Sequence, residues 1–187
     1  MKTLARFTSG SLLAFACLAN PLYADVPASS LVDFGKFTPP SGGGQFVEIN
    51  VKSGLIGLAA RLTEKAEPDV AGLLRGLQSV RVNVIGIDDA NRAELGERLA
   101  KIRSELDAKG WERIVTVQEK SQEVGVYLKQ RGEEAIEGVV VTVVEANKEA
   151  VLVNVVGDIR PEQLATVGEK LGIDPLKKVA GKVGKKS

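Results

Sequence analysis

Beyond residue 24 the chain contains neither cysteine nor histidine, so any chemistry falls to carboxylates, hydroxyls, lysines and tyrosines. Thiolate nucleophiles, imidazole bases, zinc sites with nitrogen or sulfur ligands and haem held by His or Cys are thereby excluded. Paired carboxylates of the glycosidase type stay open, with Asp88, Asp89, Glu145, Glu149 and Asp158 placed in loops or at strand ends. Aromatic side chains to stack on a sugar are scarce, with one Trp, two Tyr and five Phe in 187 residues. A solvated acidic surface is therefore the favoured reading of these residues. Serine–lysine catalysis lacks its S-x-x-K spacing anywhere in 25–187.

Asp88, Asp89 and Asn91 offer oxygens that suit a calcium ion. A helix start needs the same residues, and Asn91-Arg92-Ala93-Glu94 has capping-box spacing, so a cap is favoured over a metal. Ser41-Gly42-Gly43-Gly44 leads into a strand instead of joining strand to helix, which makes it a turn and not a phosphate cradle. Ser53 reads as an N-cap before an anion site. No catalytic residue, cofactor or metal is expected.

These positions hang on a series of periodic segments. Residues 136–159 carry two valine-rich runs, 139–144 and 151–156, around the polar link Glu145-Ala146-Asn147-Lys148-Glu149. β-Branched runs of this length with a short link predict a hairpin of adjacent antiparallel strands near the middle of a sheet. Strict alternation predicts strands at 45–51, with Val47, Ile49 and Val51 inward, and around Val80, Val82 and Val84. Two more are expected at 111–118 and 123–130, where Val124, Val126 and Leu128 oppose Glu123, Tyr127 and Lys129. Helices are expected at 55–65 with Leu55, Leu58, Ala59 and Leu62 inward, and from Pro68 with Val70, Leu73, Leu74 and Leu77 inward. A long helix from Asn91 to Lys109 carries Leu95, Leu99, Ile102 and Leu106, and Gly110 stops it. A further helix starts at Pro161 with Leu164, Val167 and Leu171 inward, and a short one follows Asp174-Pro175. The fold class is α+β: a largely antiparallel sheet of about six strands with three to four helices packed on one face.

Residues 1–24 form a leader, with basic Lys2 and Arg6, an apolar stretch at 12–19 and a small-residue cleavage site between Ala24 and Asp25. The segment is too short and wrongly flanked to span a bilayer, and export to the periplasm is expected. Lipid attachment at Cys17 is the less favoured reading, because bulky Phe15 stands next to the cleavage before Cys17 that it would need, and Ala14 stands where a leucine would be expected. Loss of Lys2 and Arg6 takes the formal net charge from +1 to −1 and leaves nothing that points to nucleic acid. The remaining organisation is an extended arm at 25–44, a single domain at 45–176 and a lysine-rich tail at 177–187.

The chain resembles a bacterial family of exported proteins, domain of unknown function family 4252. The resemblance rests on GGGQFVEINVKSGLIGLAARL (42–62), LLRGLQSVRV (73–82), GWERIVTV (110–117) and EGVVVTVVEANKEAVLVNVVGDI (137–159) with the PEQL after it. Arg160 departs from the pattern, standing where family members tend to carry an aspartate that would cap the PEQL helix. The resemblance implies an exported α+β domain, and no reaction, cofactor or catalytic residue.

If Val139, Val141 and Val143 face the helices, Val140, Thr142 and Val144 face the other way and create an apolar surplus on an otherwise polar surface. Asn154 is expected on that open face, beside Val140 or Thr142. Val140, Thr142 and Asn154 are thus the candidate contacts for an unknown envelope protein or a second copy of the chain. A cover formed by the arm through Leu31, Phe34 and Phe37 is the competing expectation. Two alternative functions are a carboxylate-based hydrolase and weak contact of Lys177, Lys178, Lys182, Lys185 and Lys186 with an anionic membrane.

Overall fold

The computed structural model describes residues 29–132, 135–160 and 163. The leader with Cys17, Ala24 and Asp25, the expected helices after Pro161 and Asp174 and the lysine-rich tail lie outside the described residues. One six-stranded antiparallel sheet dominates: β1 (Phe46–Lys52), β2 (Leu77–Gly86), β3 (Glu112–Gln118), β4 (Gln122–Arg131), β5 (Ala135–Glu145) and β6 (Glu149–Ile159), in the order β1-β2-β6-β5-β4-β3. Three helices accompany it among the described residues: α1 (Ser53–Thr63), α2 (Pro68–Gly76) and α3 (Arg92–Ala108). The fold is α+β.

The valine hairpin takes the two central places, with Val139 opposite Val155, Val141 opposite Val153 and Val143 opposite Val151. Asn147 closes its turn at φ 63°, a left-handed conformation that Asn tolerates better than most residues. Ile49, Val82, Val153, Val141, Val126 and Val115 stand side by side as one apolar row across all six strands.

The helices do not share one face. Ile56 of α1 and Leu73 of α2 pack with Val139, Val141, Val153 and Val155. Leu95, Leu99, Ile102 and Leu106 of α3 pack with Val140, Leu152, Tyr127 and Trp111 on the opposite face. Topology explains the split. The chain leaves β2 and re-enters at β3, four inter-strand gaps away, a distance of roughly 19 Å. The 17 residues of α3 rise about 25 Å, which lets the helix lie across the sheet while making that crossing. The face it crosses is the one that α1 and α2 leave free. Central strands covered on both sides read as unbroken apolar runs, which is what β5 and β6 are.

The arm fills the rest of the second face. Ser30, Val32 and Phe34 are buried there, while Leu31 and Phe37 are only half-buried. An extended chain buries alternate residues, so the expected spacing of three gave way to a spacing of two. Asp33 accepts a hydrogen bond from the Gly35 N–H at 2.9 Å and turns the arm at a positive φ of 75°. Arg98 then sits 5.5 Å from the centre of the Phe37 ring.

Candidate interaction surface

The three proposed contact residues of the hairpin are all inside the protein. Val140 is 0%, Thr142 1% and Asn154 0% exposed. Val140 and Asn154 are direct cross-strand partners, as are Thr142 and Leu152. Asn154 Oδ1 accepts from the Val32 N–H at 3.1 Å, and its Nδ2 donates to the carbonyls of Ser30 and Val139, each at 3.3 Å. The amide therefore acts as a clamp for the arm's main chain, and the expected open face is closed by the chain itself. Arg81 Nη1 adds a bond to the Val32 carbonyl at 3.4 Å, and Lys129 Nζ one to the Ser29 carbonyl at 3.2 Å.

The candidate carboxylates are spread to opposite ends of the sheet. Glu145 and Glu149 face each other across the hairpin mouth, with Lys148 Nζ 2.7 Å from the first and 3.7 Å from the second. Asp158, at the far end of β6, pairs with Arg131 at 3.1 Å. Asp88 spends its oxygens on its own loop: Oδ1 accepts from the N–H groups of Ala90 and Asn91, and Oδ2 from Ser41 Oγ and the Gly42 N–H. The bond from the Asn91 N–H leads in holding its pKa below the ordinary value, against some opposing desolvation. Asn91 does not cap α3 with its side chain. It turns back to donate to the Gly86 carbonyl at 2.8 Å and to accept from the Asp88 N–H at 3.0 Å. Asp88 thus supplies the carboxylate that the capping-box spacing assigned elsewhere.

Ser53 is likewise no cap, being the first helical residue, and Lys52 before it makes no side-chain cap bond. At the far end of β6, Gln163 Oε1 accepts from the Arg160 N–H at 3.0 Å, the return half of a capping box that Arg160 cannot complete through its own side chain.

Exposed apolar surface lies in another place from the one expected. The four large apolar side chains that stand out most among the described residues are Ile49 at 45%, Leu55 at 63%, Leu58 at 45% and Leu62 at 75%. All four belong to one continuous stretch, β1 followed without a loop by α1. The expected inward stripe of α1 is reversed: Ile56 and Ala60 are buried, and Leu55, Leu58 and Leu62 face out. In this helix, SGLIGLAARLT, periodicity singles out the leucine stripe, yet that does not fix which face meets the sheet. The direct join of Lys52 to Ser53 does, by setting the rotation of the helix against the sheet.

Beside the same strand a polar cleft of about 220 Å³ opens between the arm (Asp33, Phe34, Gly35) and Glu48, Asn50, Arg81 and Asn83. Asn83 Nδ2 donates to Glu48 Oε1 at 3.1 Å, which holds one wall together. β1 is also a sheet edge, and its register with β2 runs unbroken from Phe46 to Lys52. The opposite edge differs: β3 has a register shift between Arg113 and Val115 and exposes Glu112 and Arg113. A bulge and charges are how sheets blunt an edge against pairing. Only β3 carries both.

Among the described residues the arrangement defines an antiparallel α+β domain with one guarded edge, one open edge and an apolar helix beside the open one. The chain belongs to the family described as Domain of unknown function (DUF4252), which matches residues 42–167. Comparison with curated proteins and with solved structures finds no match. No helix among the described residues is long and apolar enough to cross a membrane.

Proposed function

We propose that this protein is an exported, non-catalytic module of the cell envelope that binds another protein chain, or a copy of itself, through β1 and α1. One observation carries the reading: among the described residues, the most exposed large apolar side chains gather in the single stretch from Ile49 to Leu62. Scattered surface leucines are ordinary, whereas a contiguous stripe beside an open strand edge marks a contact surface. Export rests on the leader with its cleavage between Ala24 and Asp25, and the periplasm is the compartment it implies.

A photoactivatable side chain at Leu58, introduced in the protein's own cells, tests this. Glu97, exposed on α3, is the control position. A protein adduct at Leu58 and none at Glu97 is expected. No adduct at Leu58, or equal adducts at both, overturns the reading. Recovery of the chain from the cytosol with residues 1–24 still attached overturns export.

A further inference from the structure

We infer that the occupant of this surface is a second copy of the chain, joined by antiparallel pairing of β1 with β1 about a two-fold axis at Ile49. This rests on the proposal that β1 and α1 form a contact surface, and it names the partner.

The hydrogen-bonding pattern of β1 supplies the first argument. Phe46 lies opposite Ile85, so Gln45 lies opposite Gly86, and the Gly86 N–H donates to the Gln45 carbonyl at 2.6 Å. Bonding between directly opposed residues recurs at every second position of an antiparallel pair. Odd-numbered residues of β1 therefore bond to β2. Phe46, Glu48 and Asn50 turn their N–H and C=O groups to the free edge, and Glu48 and Asn50 are exposed. Three consecutive outward-facing residues in an unbroken register form a ready template for another strand.

Side-chain identity then selects the partner and the register. Opposed residues in a sheet share a face, so a two-fold pairing of β1 must be centred on a residue and not between two. A centre at Glu48 sets glutamate against glutamate, which is unfavourable. A centre at Asn50 leaves Phe46 and Val47 without opposing strand residues. A centre at Ile49 pairs all seven residues: Phe46 with Lys52, Val47 with Val51, Glu48 with Asn50 and Ile49 with itself. No like charges then meet, and Asn50 is placed to donate to a carboxylate.

The apolar row through Ile49, Val82 and Val153 continues unbroken into the second copy. The result is one twelve-stranded sheet with β3 at both ends, so that only the guarded edges remain. Isologous pairing of this kind closes on itself and does not propagate.

Sedimentation of the protein purified from its own cells should give twice the mass of one chain. Ile49→Lys should raise the concentration at half-dissociation at least about tenfold, since two buried isoleucines are lost and lysine opposes lysine. Asn50→Pro removes an outward N–H without touching the bonds to β2 and should have the same effect. The fluorescence of Trp111, the one tryptophan, reports whether either variant remains folded.

Register is read by Ile49→Cys in a Cys17→Ser background. Its two thiols, on residues whose Cα atoms are about 4.5 Å apart across the axis, are within disulfide reach. Mild oxidation should link Ile49→Cys chains into covalent dimers, and Thr116→Cys chains, altered on β3, should stay unlinked.

A monomer at all concentrations overturns the dimer, and so does linking at Thr116 in preference to Ile49. If the protein is monomeric yet Leu58 still gives an adduct to a different chain, the contact surface stands and only the self-pairing falls. If neither dimer nor adduct is found, both fall.

Discussion

The amide of Asn154 in the last strand holds the main chain of Val32, 122 positions earlier, at 3.1 Å and with no exposure to solvent. This bond turns an N-terminal arm into part of the core. Asn154→Val should therefore lower stability by roughly 1–3 kcal/mol, because the Val32 N–H and the Ser30 carbonyl lose a partner inside the protein. Denaturant unfolding measures the loss, and limited proteolysis should find new cleavage within residues 29–41. A change under about 0.5 kcal/mol with an uncleaved arm would show that the clamp is idle.

Gly138 makes room for Trp111. A methyl group at position 138 would meet Trp111 Cη2 at 2.6 Å, and both residues are buried. Gly138→Ala should cost about 1–3 kcal/mol through overpacking, accompanied by a change in Trp111 fluorescence in the native state. An unaltered spectrum and midpoint would mean that the indole moves aside freely.

Val153 stands between Val82 and Val141 in the apolar row and is 4% exposed. The described residues clustered around Val153 are all apolar, so a carboxylate in Val153→Asp should abolish cooperative unfolding at neutral pH. A sharp melt within a few degrees of wild type would place that strand at the periphery.

Asp88 predicts a pH dependence. Its folded pKa lies below the ordinary 3.8, so its contribution is fully present above that value and is lost as pH falls through the folded pKa. Thermal melts of wild type and Asp88→Asn should differ at pH 7 and converge in strong acid. A difference that grows below pH 3.8 reverses the sign and removes this account. Because both oxygens already serve the loop, a chelator should leave the wild-type midpoint where it is.

Much of the sheet could be read from residue types. Alternation in β4 correctly separates Val124, Val126 and Leu128 from Tyr127, and the valine runs of β5 and β6 announce the central hairpin. Gly110 ends α3 at a positive φ of 73°, as its position suggested. What stayed hidden depends on long-range placement. The stripe Leu95, Leu99, Ile102 and Leu106 says that α3 is buried, but only the crossing from β2 to β3 decides on which face. Residue types place Asn154 on an open face, whereas it is buried, because its partner is backbone from the arm, which has no side-chain signature. The outward turn of Leu58 and Leu62 was illegible because the periodicity of α1 favours burying the leucine stripe, whereas the direct join to β1 sets its rotation.

The clamp between Val32 and Asn154 also sets an order of events. The chain emerges N-terminus first, whether from a ribosome or through a translocation channel, and the arm's seat is built from β6, the last strand among the described residues. On its second side β2 likewise waits for β6, since Val82 pairs with Val153. Until β6 arrives, the apolar rows of β2 and β5 have no neighbour between them, and the early segments can form only local hairpins. Such a chain cannot complete its sheet until residues 149–159 are available, a property that would suit the export proposed above.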